Sequence, residues 1–232
     1  MKLKKHQIAD KFIEGLLRDL SNSLIIVGEA GIGKTEVVLN TLKKNKLVDG
    51  KHFRLLNGYS SPLEFYKILK SVNNLEKYKI LVLDDCEEFL NNQRIVGLLR
   101  GALWGSVDGK RLVQWHSTSP KVDSQEFEFL GKIIFLVNKL NLKNSLIQAL
   151  ISRGLFFHLE LSNQEKIELM KTRVKEPYKN LSLKERIRIM GYLEEIGKFS
   201  NKLTLRSLSQ TYNLYILSPH HYQSLINELL KP

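Results

Sequence analysis

The chain has 232 residues, 43% hydrophobic and 26% charged, which is ordinary for a globular protein and leaves room for one α/β domain with a smaller appendage. Its formal net charge of +12 points to a polyanionic partner, nucleic acid ahead of membrane. A single cysteine, Cys86, excludes internal disulfides, the opening MKLKKHQIADKF lacks the apolar stretch of a secretory signal, and no apolar run approaches the about 18 residues of a membrane span. A cytosolic protein is expected.

In chain order, Ile8, Phe12, Ile13, Leu16, Leu17 and Leu20 form the apolar stripe of a first helix over residues 6–20. Leu24, Ile25, Ile26 and Val27 then read as a buried parallel strand. It runs into Gly28-Glu29-Ala30-Gly31-Ile32-Gly33-Lys34-Thr35, a full match to the phosphate-binding pattern G-x-x-x-x-G-K-[ST]. The chemistry needs these residue types at this spacing. Glycines let successive backbone N–H groups turn inward toward phosphates, and the following helix, which begins at Glu36, adds the positive end of its dipole. Lys34 is expected on the β- and γ-phosphates and the Thr35 hydroxyl on Mg²⁺. The loop residues from Gly28 to Glu36 are thus the candidate nucleotide contacts.

Residues 52–57 read as a second strand, and Ser61-Pro62 supplies a cap and an N1 proline for a helix bearing Leu63, Tyr66, Ile68 and Leu69. Lys79-Ile80-Leu81-Val82-Leu83-Asp84-Asp85 is an apolar strand ending in two carboxylates. Beside a phosphate loop, one carboxylate reaches Mg²⁺ and the next polarises the attacking water, and Asp84 and Asp85 are assigned to those roles in that order. Glu87 and Glu88 are close enough to substitute, although acids also favour a helix amino terminus for dipole reasons.

A helix is expected from Asn91 to Trp104, with Ile95, Leu98, Leu99, Leu103 and Trp104 on its apolar side. The stretch from Gly105 to Phe129 then reads as a hairpin-like insertion, with strands at Leu112-Val113-Gln114-Trp115-His116 and Phe127-Glu128-Phe129. It carries Lys110, Arg111, Trp115, His116 and Lys121, a mixture of basic and aromatic side chains suited to a nucleic-acid backbone and a stacked base. A structural hairpin with Trp115 in the core fits the same residues.

Lys132 to Val137 is a third apolar strand and ends in Asn138, whose amide can hydrogen-bond a γ-phosphate or orient the attacking water. Ala149-Leu150-Ile151-Ser152-Arg153 closes a helix before the strand Leu155–Leu159. Arg153 can project across a subunit boundary as an arginine finger, or be a surface arginine near a helix carboxyl end. From about residue 160 the strand signature stops. Helices are expected near 163–174, 182–196, 204–212 and 220–230, with Ser182-Leu183-Lys184-Glu185 as a capping box. Arg206 stands near the start of the third of them. There is no metal-ligand cluster of histidines and carboxylates, no internal repeat and no low-complexity segment.

Together, the phosphate loop at Gly28–Thr35, the acidic strand at Ile80–Asp85, the strand ending in Asn138, the Ser152-Arg153 pair and a terminal helical region resemble the AAA+ ATPases over nearly the whole chain. The resemblance implies a P-loop three-layer α/β sandwich, with an ATPase core over 1–159, a hairpin insertion near 105–130 and an all-helical lid over 160–232. It also implies ATP and Mg²⁺ as cofactors, Asn138 as sensor 1, Arg153 as a finger between copies in a ring or arc, and Arg206 as sensor 2. Leu83-Asp84-Asp85 followed by the Leu103–His116 stretch is similar to the viral superfamily 3 helicases, although their hairpin lysine-histidine pair is replaced by Trp115-His116. The Ala149–Arg153 run resembles clamp-loader and helicase-loader ATPases. The Gly-Glu-Ala-Gly spelling of the loop is similar to signalling STAND NTPases, and Asp85 stands where the family has a glutamate, about one methylene shorter. The implied function is an oligomeric ATPase acting on DNA in the replication of a phage, virus or mobile element, with a replication protein as a further partner. The alternatives are an ATP-dependent DNA-binding switch with slow hydrolysis, of the kind that regulates transposition, and a STAND-like signalling NTPase.

Overall fold

The computed structural model describes residues 4–105, 108–116 and 125–231, with the side chains of residues 145 and 146 aside. Its contacts divide the chain into two compact units, Met1–Gly28 with Lys34–Leu159, and Glu29–Gly33 with Glu160–Pro232.

The first unit begins with α1 (Lys5–Leu17), β1 (Ser23–Val27) and α2 (Lys34–Lys44). It continues through β2 (Phe53–Asn57), α3 (Pro62–Val72), β3 (Ile80–Asp84), α4 (Glu87–Asn91) and α5 (Gln93–Leu103). The hairpin strands β4 (Leu112–Gln114) and β5 (Glu126–Glu128) follow, then β6 (Lys132–Val137), α6 (Ser145–Arg153) and β7 (Leu155–His158). Five strands form a parallel sheet in the order β2-β3-β6-β1-β7. Every residue of β1, β3 and β6 is buried, which explains why they read as continuous apolar runs rather than as alternating ones. One core packs Phe65, Tyr66, Phe89, Phe129 and Phe135 together, and each such side chain contributes roughly 1.5–3 kcal/mol by leaving water.

Local sequence sets the helix boundaries. Ser61 caps α3 by accepting from the Glu64 N–H at 3.3 Å, with Pro62 as the first helical residue, as the sequence predicts. The helix expected over 91–104 is α5, which starts two residues later, and a short helix that the sequence does not announce, α4, precedes it. Asn92 leaves the helical region (φ −90°, ψ 109°) and its Oδ1 accepts from the N–H groups of Arg94 and Ile95 at 3.0 and 3.3 Å, so it ends α4 and starts α5.

The hairpin is antiparallel, pairing Leu112 with Glu128 and Gln114 with Glu126. Asn73 at the end of α3 clasps it, donating to the Glu128 carbonyl at 2.7 Å and accepting from the Leu130 N–H at 2.8 Å.

The second unit contains α7 (Asn163–Arg173), α8 (Leu183–Gly197), α9 (Ser207–Leu217) and α10 (Tyr222–Leu230). They bury Ile167, Met170, Ile189, Leu193, Leu203 and Ile226 in a core of their own. Capping boxes start α7 (Ser162 with Glu165) and α8 (Ser182 with Glu185). α9 begins three residues later than the sequence suggests, because Ser207 Oγ accepts from the Thr204 N–H at 3.1 Å while the Leu205 N–H donates to the Gly31 carbonyl at 3.0 Å. Among the described residues no helix is long and apolar enough to cross a membrane.

Candidate functional site

The sheet order brings the chemistry together. β6 lies between β1 and β3, with Val27 opposite Val137 and Asp84 opposite Leu136. Gly28, Asp84, Asp85 and Asn138 therefore all stand at the carboxyl ends of neighbouring parallel strands, where open α/β sheets place their ligands.

Lys34 opens α2 and is 6% exposed. Its ammonium donates to the Gly28 carbonyl at 2.7 Å and to Asn138 Oδ1 at 2.8 Å. The other face of the same amide continues the chain of bonds, with Asn138 Nδ2 donating to Asp85 Oδ1 at 3.1 Å. The Asn138 backbone N–H is taken by Glu87 Oε1. Thr35 Oγ1 donates to Asp84 Oδ2 at 2.7 Å, and Asp84 is 7% exposed. Gly28, Lys34, Asn138 and Asp85 thus form one bonded chain, and Thr35 and Asp84 form a second pair beside it.

Gly31 and Gly33 have φ of 76° and 87°, a backbone that an L side chain rarely adopts, so their glycines are required by the turn. Ile32 is buried at 1% exposure, whereas Glu36 sits exposed in the first turn of α2. Within the second unit, Glu29 pairs with Lys166 at 3.4 Å, and Arg206 lines a cleft of about 260 Å³ together with Ala30 and Gly31.

Asp85 is exposed and sits at φ 50°, in the left-handed region where aspartate and asparagine are tolerated far better than glutamate. This backbone accounts for the shorter acid at that position. Glu87, which the sequence offers only as a substitute, belongs to the cluster through its bond to Asn138; its spacing from Asp84 is the signal that points to it.

The donor set fits a magnesium nucleotide. A buried ammonium, a glycine turn and a hydroxyl bonded to a carboxylate supply the contacts that phosphates and a hard cation need. Among the described residues there is no group of three or more His, Cys, Asp or Glu that could hold a metal ion. Cys86, between the two acid pairs, is buried, and burial pushes its thiol well above the usual range.

Arg153 ends α6, is exposed, and is bonded to none of these residues; its guanidinium lies 4.2 Å from the centre of the Trp104 ring. The hairpin candidates divide. Arg111 donates to the carbonyls of Gly131 at 2.7 Å and Ala102 at 3.3 Å and lies over Phe129, and burial lowers its pKa. Trp115 packs against Tyr66 at 5.9 Å with its indole Nε1 buried. Packing inside the first unit thus occupies both side chains, which corrects the expectation that they face a phosphate and a base. Lys110 and His116 are exposed, and Lys121 lies outside the described residues.

No family model matches the sequence. An uncharacterized 36.7 kDa protein in the nrdC-mobD intergenic region of Enterobacteria phage T4 is 30% identical over 176 residues, 71% of this chain and 53% of the relative. The chain therefore spans about half the length of that relative. Among solved structures, the replication initiator DnaA bound to AMPPCP and single-stranded DNA matches over 98% of this chain and 66% of its own, with a TM-score of 0.52 and 18% identity. The Thermotoga maritima RuvB Holliday junction branch migration motor matches over 99% of this chain and 70% of its own, with a TM-score of 0.58 and 16% identity. The five-stranded parallel sheet with its flanking helices and following helical region matches the AAA+ P-loop NTPase fold.

Proposed function

We propose that this chain is an ATPase that binds ATP with Mg²⁺ and works on DNA as a ring or arc of copies. The observation that carries the reading is the bonded cluster of Lys34, Asn138 and Asp85 beside the Thr35–Asp84 pair. Lys34 holds the β- and γ-phosphates, Thr35 and Asp84 hold Mg²⁺, and the glycine loop from Gly28 to Gly33 wraps the phosphate chain. The metal, when bound, neutralises charge on the phosphates. Asp85 accepts hydrogen bonding from the attacking water and Asn138 keeps Asp85 and Lys34 in register. Arg153 acts on the nucleotide of a neighbouring copy, and Arg206, in the helical lid over 160–232, contacts the nucleotide of its own chain.

Three things support DNA as the polymer: the +12 net charge, the phage relative, and a fold shared with a DNA-bound replication initiator and a branch-migration motor. Lys110 and His116 on the hairpin offer it contacts. The setting is replication of a phage or related mobile element in the host cytoplasm, as a helicase or a loader that also meets a replication protein. ATP turnover measured with and without DNA tests the reading. DNA stimulation that disappears in Lys34→Ala is the expected result, and absence of nucleic-acid binding at low salt overturns it.

A second reading, a switch that assembles with ATP and hydrolyses slowly, is favoured by Asp85 in its left-handed conformation. Single-turnover hydrolysis slower than disassembly of the DNA complex would establish it.

A further inference from the structure

Beside Asn138, the first unit holds an open pocket of about 390 Å³ between α4 and the loop from β6 to α6. That volume lies at the small end of the about 300–1,000 Å³ usual for ligand clefts. Its floor is apolar. Leu90 and Ile147 are each 2% exposed, and Leu140 packs against the same core. Its rim is polar, with Glu87 and Asn91 four residues apart on α4, and Lys139 and Asn141 across from them on the loop.

The loop is held in place by its own bonds. Asn141 Oδ1 accepts from the Lys143 N–H at 3.1 Å, and Gln148 Nε2 donates to the Leu142 carbonyl at 2.8 Å. The Asn141 amide therefore keeps its NH₂ group for another acceptor. Among the described residues, the side chains of Asn91 and Lys139 have no partner.

This mixture limits what fits. A carboxylate on the rim repels a bare phosphate or an acidic peptide, and the carboxamides and charges leave a plain hydrocarbon chain no advantage. A flat ring that carries donors and acceptors side by side on one edge satisfies floor and rim together. Its faces lie on leucine and isoleucine, a carboxamide pairs with its edge, a carboxylate accepts from an exocyclic amino group, and an ammonium meets an attached phosphate. Cytosine and adenine nucleotides have all of these groups.

We infer that the pocket takes one unstacked cytosine or adenine base of a single strand, and that its filling reports bound DNA to the reaction centre. The inference rests on the reading of DNA as the polymer. Asn91 and Asn141 pair with the base edge, Glu87 accepts from the amino group, and Lys139 meets the adjoining phosphate. Leu142, 54% exposed in the same loop, is an apolar wedge for the stack that the base has left. The path to the reaction centre is short. Glu87 Oε1 also accepts from the Asn138 N–H, and Lys139 follows Asn138 in the chain. An occupant that touches Glu87 and Lys139 thus bears on both sides of the residue that joins Lys34 to Asp85.

The test measures ATP turnover of the full chain with Mg²⁺, alone and with single strands of equal length that are deoxycytidine, thymidine or abasic throughout. Deoxycytidine strands should stimulate about tenfold more than abasic ones, with thymidine strands between them because thymine has no amino group. Lys139→Ala and Asn91→Trp, the second of which fills the pocket, should keep DNA-free turnover within about twofold of the parent and lose about tenfold in stimulation. Lys139 is exposed, so its variant answers the question even where tryptophan at position 91 lowers the melting temperature. A fluorescent adenine analogue placed once in a strand should brighten on the parent, as a base out of its stack does, and stay dim on Asn91→Trp. Abasic strands that stimulate as well as deoxycytidine strands overturn the inference and leave the proposed function standing, and so does parent-like stimulation of both variants. Free deoxycytidine monophosphate that stimulates as strongly as the strand makes this a small-molecule site and also overturns the inference. A parent that no strand stimulates overturns the proposed function and this inference with it.

Discussion

The ammonium of Lys34 and the side-chain oxygen of Asn138, 104 positions apart in the chain, are joined by a 2.8 Å hydrogen bond. The same amide reaches Asp85, so one residue at the end of β6 connects the phosphate loop to the acid expected to act on water. Asn138→Ala should therefore lower turnover by roughly 10²-fold while leaving ATP affinity within about threefold, because Lys34 keeps its bond to the Gly28 carbonyl. Lys34→Ala should remove binding itself. Parallel measurement of nucleotide affinity and kcat separates the two.

Asp85 can be tested through its backbone. Asparagine tolerates φ near 50° as aspartate does, so Asp85→Asn should keep the fold and nucleotide affinity and lose turnover by about 10²-fold. Asp85→Glu adds the missing methylene at a position that disfavours it. A sharp rise in turnover with assembly unchanged would mean that slow hydrolysis is set by side-chain reach. A fall, together with a lower melting temperature, would place the limit in the backbone. Hydrolysis rates and thermal melts of both variants decide.

Gly154, next to Arg153, packs against Ser23 at the start of β1, so tightly that a Cβ collides with the Ser23 hydroxyl and lies 3.2 Å from its carbonyl oxygen. Gly154→Ala should cost about 1–3 kcal/mol of stability, and Gly154→Ala combined with Ser23→Ala should recover part of it. Denaturant unfolding of the single and double variants measures the coupling. No recovery would place the strain elsewhere.

The Tyr212 hydroxyl is buried in the helical unit with no hydrogen-bond partner among the described residues, and burial pushes its pKa up to about 12 from 10.0. The folded chain thus keeps a proton that the unfolded chain releases above pH 10. This contribution to stability is present below pH 10 and is lost as pH rises toward 12. Tyr212→Phe keeps the ring, which lies 5.0 Å from that of Tyr178, and removes the orphaned hydroxyl. It should be neutral or stabilising by up to about 1 kcal/mol near neutral pH, and its melting temperature should fall less between pH 9.5 and 11.5 than that of the parent.

The sheet was legible because its central strands are apolar without interruption, and the phosphate loop because its spacing is set by the ligand rather than by packing. Ser61-Pro62 and Ser182–Glu185 announced helix starts for the same local reason: the cap and its partner lie within four residues. Features that depend on distant partners were harder to read. Asn92 caps α5 with its side chain and so separates it from the short helix α4, which has too few residues for an apolar period of its own. Arg111 and Trp115 have the composition of a nucleic-acid surface, and only the carbonyls of Ala102 and Gly131 and the ring of Tyr66 turn them inward. The left-handed backbone of Asp85 leaves no mark beyond the residue type itself.

The position of β6 between β1 and β3 has a mechanical consequence. Its neighbours each lead into one half of the candidate site, and both are bonded to it along their whole length. A slip of this one strand by a single residue would carry Asn138 about 3.3 Å along the sheet and swap its inward and outward side chains at once. Fine adjustment at the reaction centre therefore has to come from side-chain rotation or from the loops beyond the strand ends, because the girder between them moves in whole steps or not at all.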